Sequence, residues 1–315
     1  MAKFPDLTIN NDWILSKRAK KNPVDPEIPY AFLVEKERNS SGIIEDVATI
    51  FLTNRECPFR CLMCDLWKNT TDVTVPRGAI PNQIYNALER LSSASSIKLY
   101  NSGNFFDTRA IPEQDYAEIA SLLQDFDTII VESHPKLVND RCMEFSDMLN
   151  GSLEIAIGLE TCHPDVLPAL NKRMNLNDFT ESIEFLNNHG ILSRAFILLC
   201  PPFLNEEEGV HWAKRSLDFA FEAGVECCVI IPTRTGNGAI DWLEKNDYYS
   251  KPSIYALEEV MEYGIQLKTG RVFADLWDIE QFSNCDSCSI ERINRLNEMN
   301  LQQDIITAVS CSCNA

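Results

Sequence analysis

The chain has 315 residues, of which 45% are hydrophobic and 24% are charged, a balance typical of a globular protein. Its 47 acidic and 28 basic residues give a net charge of −19 at pH 7. Binding to free nucleic acid depends on cations that neutralise phosphates, so DNA or RNA alone is a disfavoured partner. The sequence has neither 18 consecutive apolar residues nor a signal-peptide pattern, and we therefore expect a cytoplasmic protein without a membrane span.

Residues 1–44 are polar and interrupted by prolines, which favours an irregular N-terminal extension. Segments typical of strands and helices then alternate along the chain. Apolar runs rich in β-branched residues predict six strands, at 47–54, 96–103 (a strand that ends in a turn), 128–135, 153–161, 192–202 and 225–233. Helical periodicity predicts helices at 80–94, 111–126, 140–149, 176–190, 205–224 and 254–270. Asn205 is suited to cap the start of the fifth helix, and Gly224 to end it.

The predicted strands are apolar on both faces, which is typical of a parallel sheet covered by helices. Six strand–helix units predict an α/β fold, a partial (β/α)6 TIM-like barrel over residues 45–235. Residues 236–315 would then form a small C-terminal extension that contains cysteines. In such folds the carboxyl ends of the strands and the loops that follow them carry the chemistry.

Twelve cysteines occur in the chain, and two groups of them are clustered. In a reducing cytoplasm, clustered cysteines favour metal binding over disulfides. The first group has the spacing C-x3-C-x2-C and directly follows the first predicted strand; it consists of Cys57, Cys61 and Cys64. A structural zinc site uses four ligands, whereas three cysteines on a [4Fe–4S] cluster leave one iron open to a small molecule. The alternative is three incidental loop cysteines.

This motif, placed after the first strand of a βαβ series, resembles the radical S-adenosylmethionine (SAM) superfamily over about residues 45–235. The resemblance implies a [4Fe–4S] cluster and SAM as cofactors, and a reductant such as flavodoxin or ferredoxin. It also implies reductive cleavage of SAM to a 5′-deoxyadenosyl radical, which abstracts hydrogen from a substrate. The cofactors supply this chemistry, and the protein orients them and excludes water.

Further positions of this sequence match the superfamily and imply roles in SAM binding. The second strand ends in NSGN, which resembles the turn that meets the methionine amino group in the subgroup around the Elongator catalytic subunit. The resemblance assigns this role to Asn101, Ser102, Gly103 and Asn104. The motifs IGLET and LCPPFLNEEEG resemble the radical SAM subunit of archaeosine synthase.

Four more side chains are implied to surround SAM. Glu132 and Glu160, after the third and fourth strands, would line its pocket. Lys172 would pair with the SAM carboxylate through a charge-assisted contact. Met63 stands before the third cysteine, where relatives usually have an aromatic residue beside adenine; methionine can also pack on a flat ring.

The second cysteine group lies in the tail, in a CxxC…CxC pattern of Cys285, Cys288, Cys311 and Cys313. Four thiolates with this spacing could bind zinc or a second, auxiliary iron–sulfur cluster, or remain free thiols. The spacing alone does not choose among these.

The sequence thus predicts a radical SAM enzyme that acts on a small molecule, because the acidic composition disfavours free RNA. The subgroup resemblance supports an alternative, the modification of a tRNA base with a partner subunit. Two further alternatives are a non-catalytic iron–sulfur electron carrier and transfer of the aminocarboxypropyl group of SAM.

Overall fold

A computed structural model of the chain describes residues 2–314. Eight strands form one sheet in chain order: β1 (Ala31–Arg38), β2 (Ile44–Phe51), β3 (Ser96–Tyr100), β4 (Thr128–Ser133), β5 (Ser152–Glu160), β6 (Leu192–Leu199), β7 (Cys227–Pro232) and β8 (Arg271–Ala274). Strands β1 and β2 are antiparallel, and every later neighbour pair is parallel. The sheet curls into a half-barrel, which confirms the predicted partial TIM-like fold.

Helices connect the parallel strands and cover the sheet. The α-helices of residues 2–314 are α1 (Asn11–Lys17), α2 (Ala79–Leu88), α3 (Tyr116–Leu122), α4 (Asp140–Asp147), α5 (Val166–Ala169), α6 (Leu176–Asn188), α7 (Glu206–Glu222), α8 (Ala239–Lys245), α9 (Ile254–Leu267) and α10 (Ser289–Gln302). Among them, none combines the length and the apolar character that a membrane crossing requires. Asn205 caps α7 as predicted, since its side chain accepts a hydrogen bond from Glu208 N at 2.8 Å.

The sheet has two more strands than the sequence predicts. Strand β1 lies in the predicted N-terminal extension and pairs with β2, while β8 lies in the predicted C-terminal extension and pairs with β7. These two strands are the edges of the half-barrel, and helix α10 packs against both. The helix thereby shields edges that would otherwise be open to pairing with other chains.

Buried charges fill the end of the half-barrel where the parallel strands begin. Arg194 donates Nε to Glu154 Oε1 at 2.5 Å and Nη2 to Glu37 Oε1 at 2.6 Å. Arg271 reaches the other oxygen of Glu154 at 2.9 Å, and Lys98 contacts Glu37 at 2.5 Å. This network occupies the amino end of the barrel, so a binding site has room at the opposite, carboxyl end.

Candidate active site

The loop with the three clustered cysteines leaves β2 at the carboxyl edge of the sheet. Two asparagine side chains from distant loops hold its backbone. Asn171, just after α5, donates Nδ2 to Arg60 O at 2.7 Å, and Asn237, after β7, donates Nδ2 to Leu62 O at 2.8 Å. Neither residue is predictable from the sequence, because a single loop asparagine forms no pattern. The anchored segment carries Cys57, Cys61 and Cys64.

The environment of these thiols opposes ionisation. Burial raises the pKa of Cys61 to about 12, although the Lys172 ammonium favours the thiolate. Burial likewise raises the pKa of Cys57, with Lys172 and Arg60 acting against it. The thiols are therefore protonated at neutral pH unless a bound metal replaces the protons.

Asn104, the last residue of the NSGN turn, connects the turn to the cysteine loop. Its Nδ2 donates a hydrogen bond to Cys57 Sγ at 3.1 Å, and its Oδ1 accepts one from His134 N at 2.6 Å. At Gly103, an added Cβ would lie only 3.3 Å from Cys57 Cβ. The turn and the loop are thus in direct contact, as a site shared by a cluster and SAM requires.

Two side chains, those of Glu132 and Tyr30, contact the NSGN turn. Glu132 is partly buried, and its Oε2 accepts a hydrogen bond from Asn101 N at 3.0 Å. Burial raises the pKa of Glu132 to about 7, against the opposing effect of the turn's backbone N–H groups. Tyr30, in the segment before β1, has its hydroxyl 3.1 Å from Ser102 Oγ. Glu132 therefore contacts the turn directly, and its role beside SAM stays a prediction.

A buried ion pair joins Glu160 to Lys172, with Nζ 2.5 Å from Oε1. Glu160 ends β5 with φ at 67°, and the register of β5 against β6 shifts between Gly158 and Glu160. Such a bulge redirects a side chain, here towards Lys172. Although burial alone would lower it, the pKa of Lys172 is raised because Glu160 favours the cation. The charge of Lys172 also acts on the cysteine loop, since it favours the thiolate form of Cys61.

The side-chain amide of Asn101 is a candidate ligand-binding group. It is fully buried, and neither Nδ2 nor Oδ1 has a hydrogen-bond partner among the residues that the structure describes. Buried amides normally form hydrogen bonds, so both polar atoms of this side chain are suited to binding a ligand. The ammonium and carboxylate of SAM provide donors and an acceptor of this kind. Met63, in contrast, is partly buried against an apolar cluster that includes Leu62, and its position beside adenine stays a prediction.

The two cysteine groups differ in how closely they are gathered. The four tail Sγ atoms all lie within 4.8 Å of one another, and within residues 2–314 only this group of metal-binding side chains meets that spacing. A [4Fe–4S] cluster holds each thiolate on a different iron, so its ligands stand farther apart than those of a single ion. Cys57, Cys61 and Cys64 do not meet the 4.8 Å spacing in the part of the chain that the structure describes, and their role as cluster ligands stays a prediction.

Sequence comparison finds archaeal relatives, although no family model matches the chain. An uncharacterized protein of Methanocaldococcus jannaschii is 23% identical over 93% of this chain and 87% of its own length. The archaeosine synthase subunit beta of Thermococcus kodakarensis is 30% identical over 166 residues, which cover 50% of this chain. The chain spans only about half of that relative, 51% of its length.

Solved structures share the fold. A radical SAM methyltransferase from Sphaerobacter thermophilus superimposes with a TM-score of 0.54 over 79% of this chain and 76% of its own, at 13% identity. Methanocaldococcus infernus Elp3 gives a TM-score of 0.52 over 70% of this chain and 59% of its own, at 11% identity. The chain therefore has the fold of the radical SAM enzymes. The predicted resemblance to the Elongator and archaeosine synthase subgroup is confirmed.

Proposed function

We propose that this protein, which has the fold of the radical SAM enzymes, holds a [4Fe–4S] cluster on Cys57, Cys61 and Cys64 and binds SAM beside it. The observation that carries the proposal is the contact of Asn104 with Cys57, which joins the cysteine loop to the NSGN turn. When bound, the reduced cluster and SAM supply a 5′-deoxyadenosyl radical, which abstracts hydrogen from a substrate. The cytoplasm is the compartment we assign, because it keeps the ligand thiols reduced.

The side chains at the carboxyl edge bind and orient SAM. Ser102 and Gly103 present the turn to its amino group, and the unpartnered amide of Asn101 offers a further hydrogen bond. Lys172 forms an ion pair with the SAM carboxylate and keeps its ion pair with Glu160. It can bind both anions because an ammonium has three hydrogen-bond donors. Glu132 holds the turn in place by accepting a hydrogen bond from the backbone N–H of Asn101.

The shape of the half-barrel supports entry from one side. The ion network around Arg194 blocks the amino end, so substrate reaches the radical through the carboxyl end. A small organic substrate suits this site, since the net charge of −19 repels free nucleic acid. The electron is supplied by a small redox protein such as flavodoxin or ferredoxin.

A second candidate rests on the relationship to archaeosine synthase subunit beta. That name describes one subunit of an assembly that makes a modified nucleoside. A base in tRNA, presented by a partner subunit that neutralises its phosphates, would reconcile an RNA substrate with the acidic composition. Titration with bulk tRNA at physiological salt tests the choice: sub-micromolar binding by this chain alone would contradict the small-molecule assignment.

The reaction is tested by anaerobic reconstitution, reduction and addition of SAM, with products identified by mass spectrometry. We expect 5′-deoxyadenosine from the native protein and none from Cys61→Ala. The variant Cys162→Ala is the matched control, because Cys162 lies outside both cysteine groups. Methylthioadenosine would instead indicate aminocarboxypropyl transfer. An intact, reduced cluster that yields neither product would favour an electron carrier.

A further inference from the structure

The tail cysteines form a compact set of four thiols. Cys285 Sγ lies 3.8 Å from Cys311 Sγ, and Cys288 Sγ lies 3.5 Å from Cys313 Sγ. All four sulfurs are within 4.8 Å of one another. The pairs are far apart in the chain, so the fold itself brings them together.

These distances match the edges of a tetrahedron around one ion. Zinc binds thiolate sulfur at about 2.3 Å, which places two sulfurs of a regular tetrahedron about 3.8 Å apart. A cubane cluster spreads its ligands over four irons and separates them further. We propose that Cys285, Cys288, Cys311 and Cys313 bind a single zinc ion in a closed site. This inference does not depend on the proposed reaction.

Groups around the four sulfurs suit such a site. Zinc with four thiolates carries a net charge of −2, which a buried cation and hydrogen-bond donors offset. Arg292 is 2% exposed and donates Nε to Cys288 Sγ at 3.4 Å. The hydroxyl of Tyr255 lies 2.8 Å from Cys313 Sγ, and the guanidinium of Arg292 stacks 4.0 Å from the Tyr255 ring.

The site closes the chain around α10. Cys285 and Cys288 precede this helix, and Cys311 and Cys313 follow it. The segment between the end of α10 and Cys311 returns along the helix, where Arg295 donates Nη2 to Ile306 O at 2.7 Å. Helix α10 packs against both edge strands of the half-barrel, β1 and β8. A zinc ion bound at both ends of α10 would therefore hold this helix against the two edges. A four-cysteine shell leaves no open coordination position, so its role is structural.

The test uses the full-length chain with Cys57, Cys61 and Cys64 all replaced by alanine, which removes the loop iron. Metal analysis after anaerobic purification should give about one zinc per chain and no iron, without visible absorption. Adding Cys288→Ser should lose the zinc, whereas adding Cys162→Ser instead should keep it. Iron in the triple variant, or a chain without zinc, would overturn the proposal.

A second measurement covers the case in which these variants do not fold. X-ray absorption at the zinc edge of the native-sequence protein should show four sulfur neighbours at about 2.3 Å. Nitrogen or oxygen neighbours, or a sample that contains iron but no zinc, would contradict a closed four-thiolate zinc site. Neither outcome bears on SAM cleavage, which is measured separately.

Discussion

Asn104 is the side chain that joins the NSGN turn to Cys57, one of the proposed cluster ligands. The sequence placed it on the turn through a resemblance, but its contact with Cys57 depends on how two distant loops fold. The same limit applies to Asn171 and Asn237, which hold the cysteine loop without any local sequence pattern. Sequence motifs therefore indicate candidate ligands, and the three-dimensional fold shows which side chains contact their loop.

We expect Asn104→Ala to lower the rate of SAM cleavage by roughly 10- to 100-fold, the usual effect of losing a group that orients a metal ligand. The reduction potential of the cluster should become more negative, since hydrogen bonds to cluster sulfurs help set it. An EPR-monitored redox titration measures the potential. Asn246→Ala, at an exposed site after α8, is the control. An unchanged potential and rate would contradict the role.

Lys172 should contribute to SAM affinity beyond its pairing with Glu160. Lys172→Met should weaken SAM binding by at least about tenfold, because the SAM carboxylate loses its charge-assisted partner. It also leaves Glu160 buried without a cation, which destabilises the fold. Adding Glu160→Gln should therefore recover stability but not SAM affinity. Anaerobic calorimetric titration with SAM and urea unfolding separate the two effects. If the double variant recovered SAM affinity as well as stability, the ion pair of Lys172 and Glu160 would have a purely structural role.

At the scale of elements, the sequence predicted the strands of the barrel interior and missed the two edges. Strand β1 reads AFLVEKER, and its charged second half supplies Glu37 to the ion network, so apolar periodicity does not reveal it. Strand β8 has only four residues, too few for a pattern. The predicted helix at 111–126 is shorter in the structure, where α3 spans Tyr116–Leu122 after a 3-10 turn.

Gly158 in β5 leaves room for the ion pair of Glu160 and Lys172. A Cβ on Gly158 would overlap Glu160 Oε1 and Lys172 Nζ. Gly158→Ala should therefore displace the ion pair, reduce SAM affinity and lower the free energy of unfolding by about 1–3 kcal/mol. Ala156→Gly, in the same strand, should lower stability while leaving SAM affinity unchanged. Equal SAM affinity in Gly158→Ala and the native protein would show that the bulge does not position the pair.

At the scale of the whole molecule, alternating strands and helices were enough to predict the barrel class. How the open sheet is closed was not predictable, because it depends on ion pairs between distant strands. Arg194 on β6 reaches Glu37 on β1, and Arg271 on β8 donates Nη1 to Arg38 O on β1 at 2.9 Å. These contacts connect the two edge strands across the half-barrel.

This network should make stability depend on pH. Burial opposes ionisation of Glu37, but Arg194 and Lys98 outweigh it and hold the pKa of Glu37 well below its ordinary value of 4.5. A depressed pKa stabilises the folded state above the unfolded value, and this stabilisation is lost as the pH falls through the folded pKa. The contribution of Glu37 should thus be complete at pH 7 and decline below about pH 4.5.

Glu37→Gln isolates this contribution. At pH 7 it should lower the free energy of unfolding by about 3–5 kcal/mol, because Arg194 and Lys98 lose a buried partner. The difference from the native protein should shrink as the pH falls from 5 towards 3, since the Glu37 carboxylate then becomes protonated in the unfolded state while it is still ionised in the folded state. Urea unfolding at several pH values measures it, with the exposed Glu244→Gln as the control. A difference that stays constant across this range would show that Glu37 acts through packing and hydrogen bonds, and that its charge does not join the edges of the half-barrel.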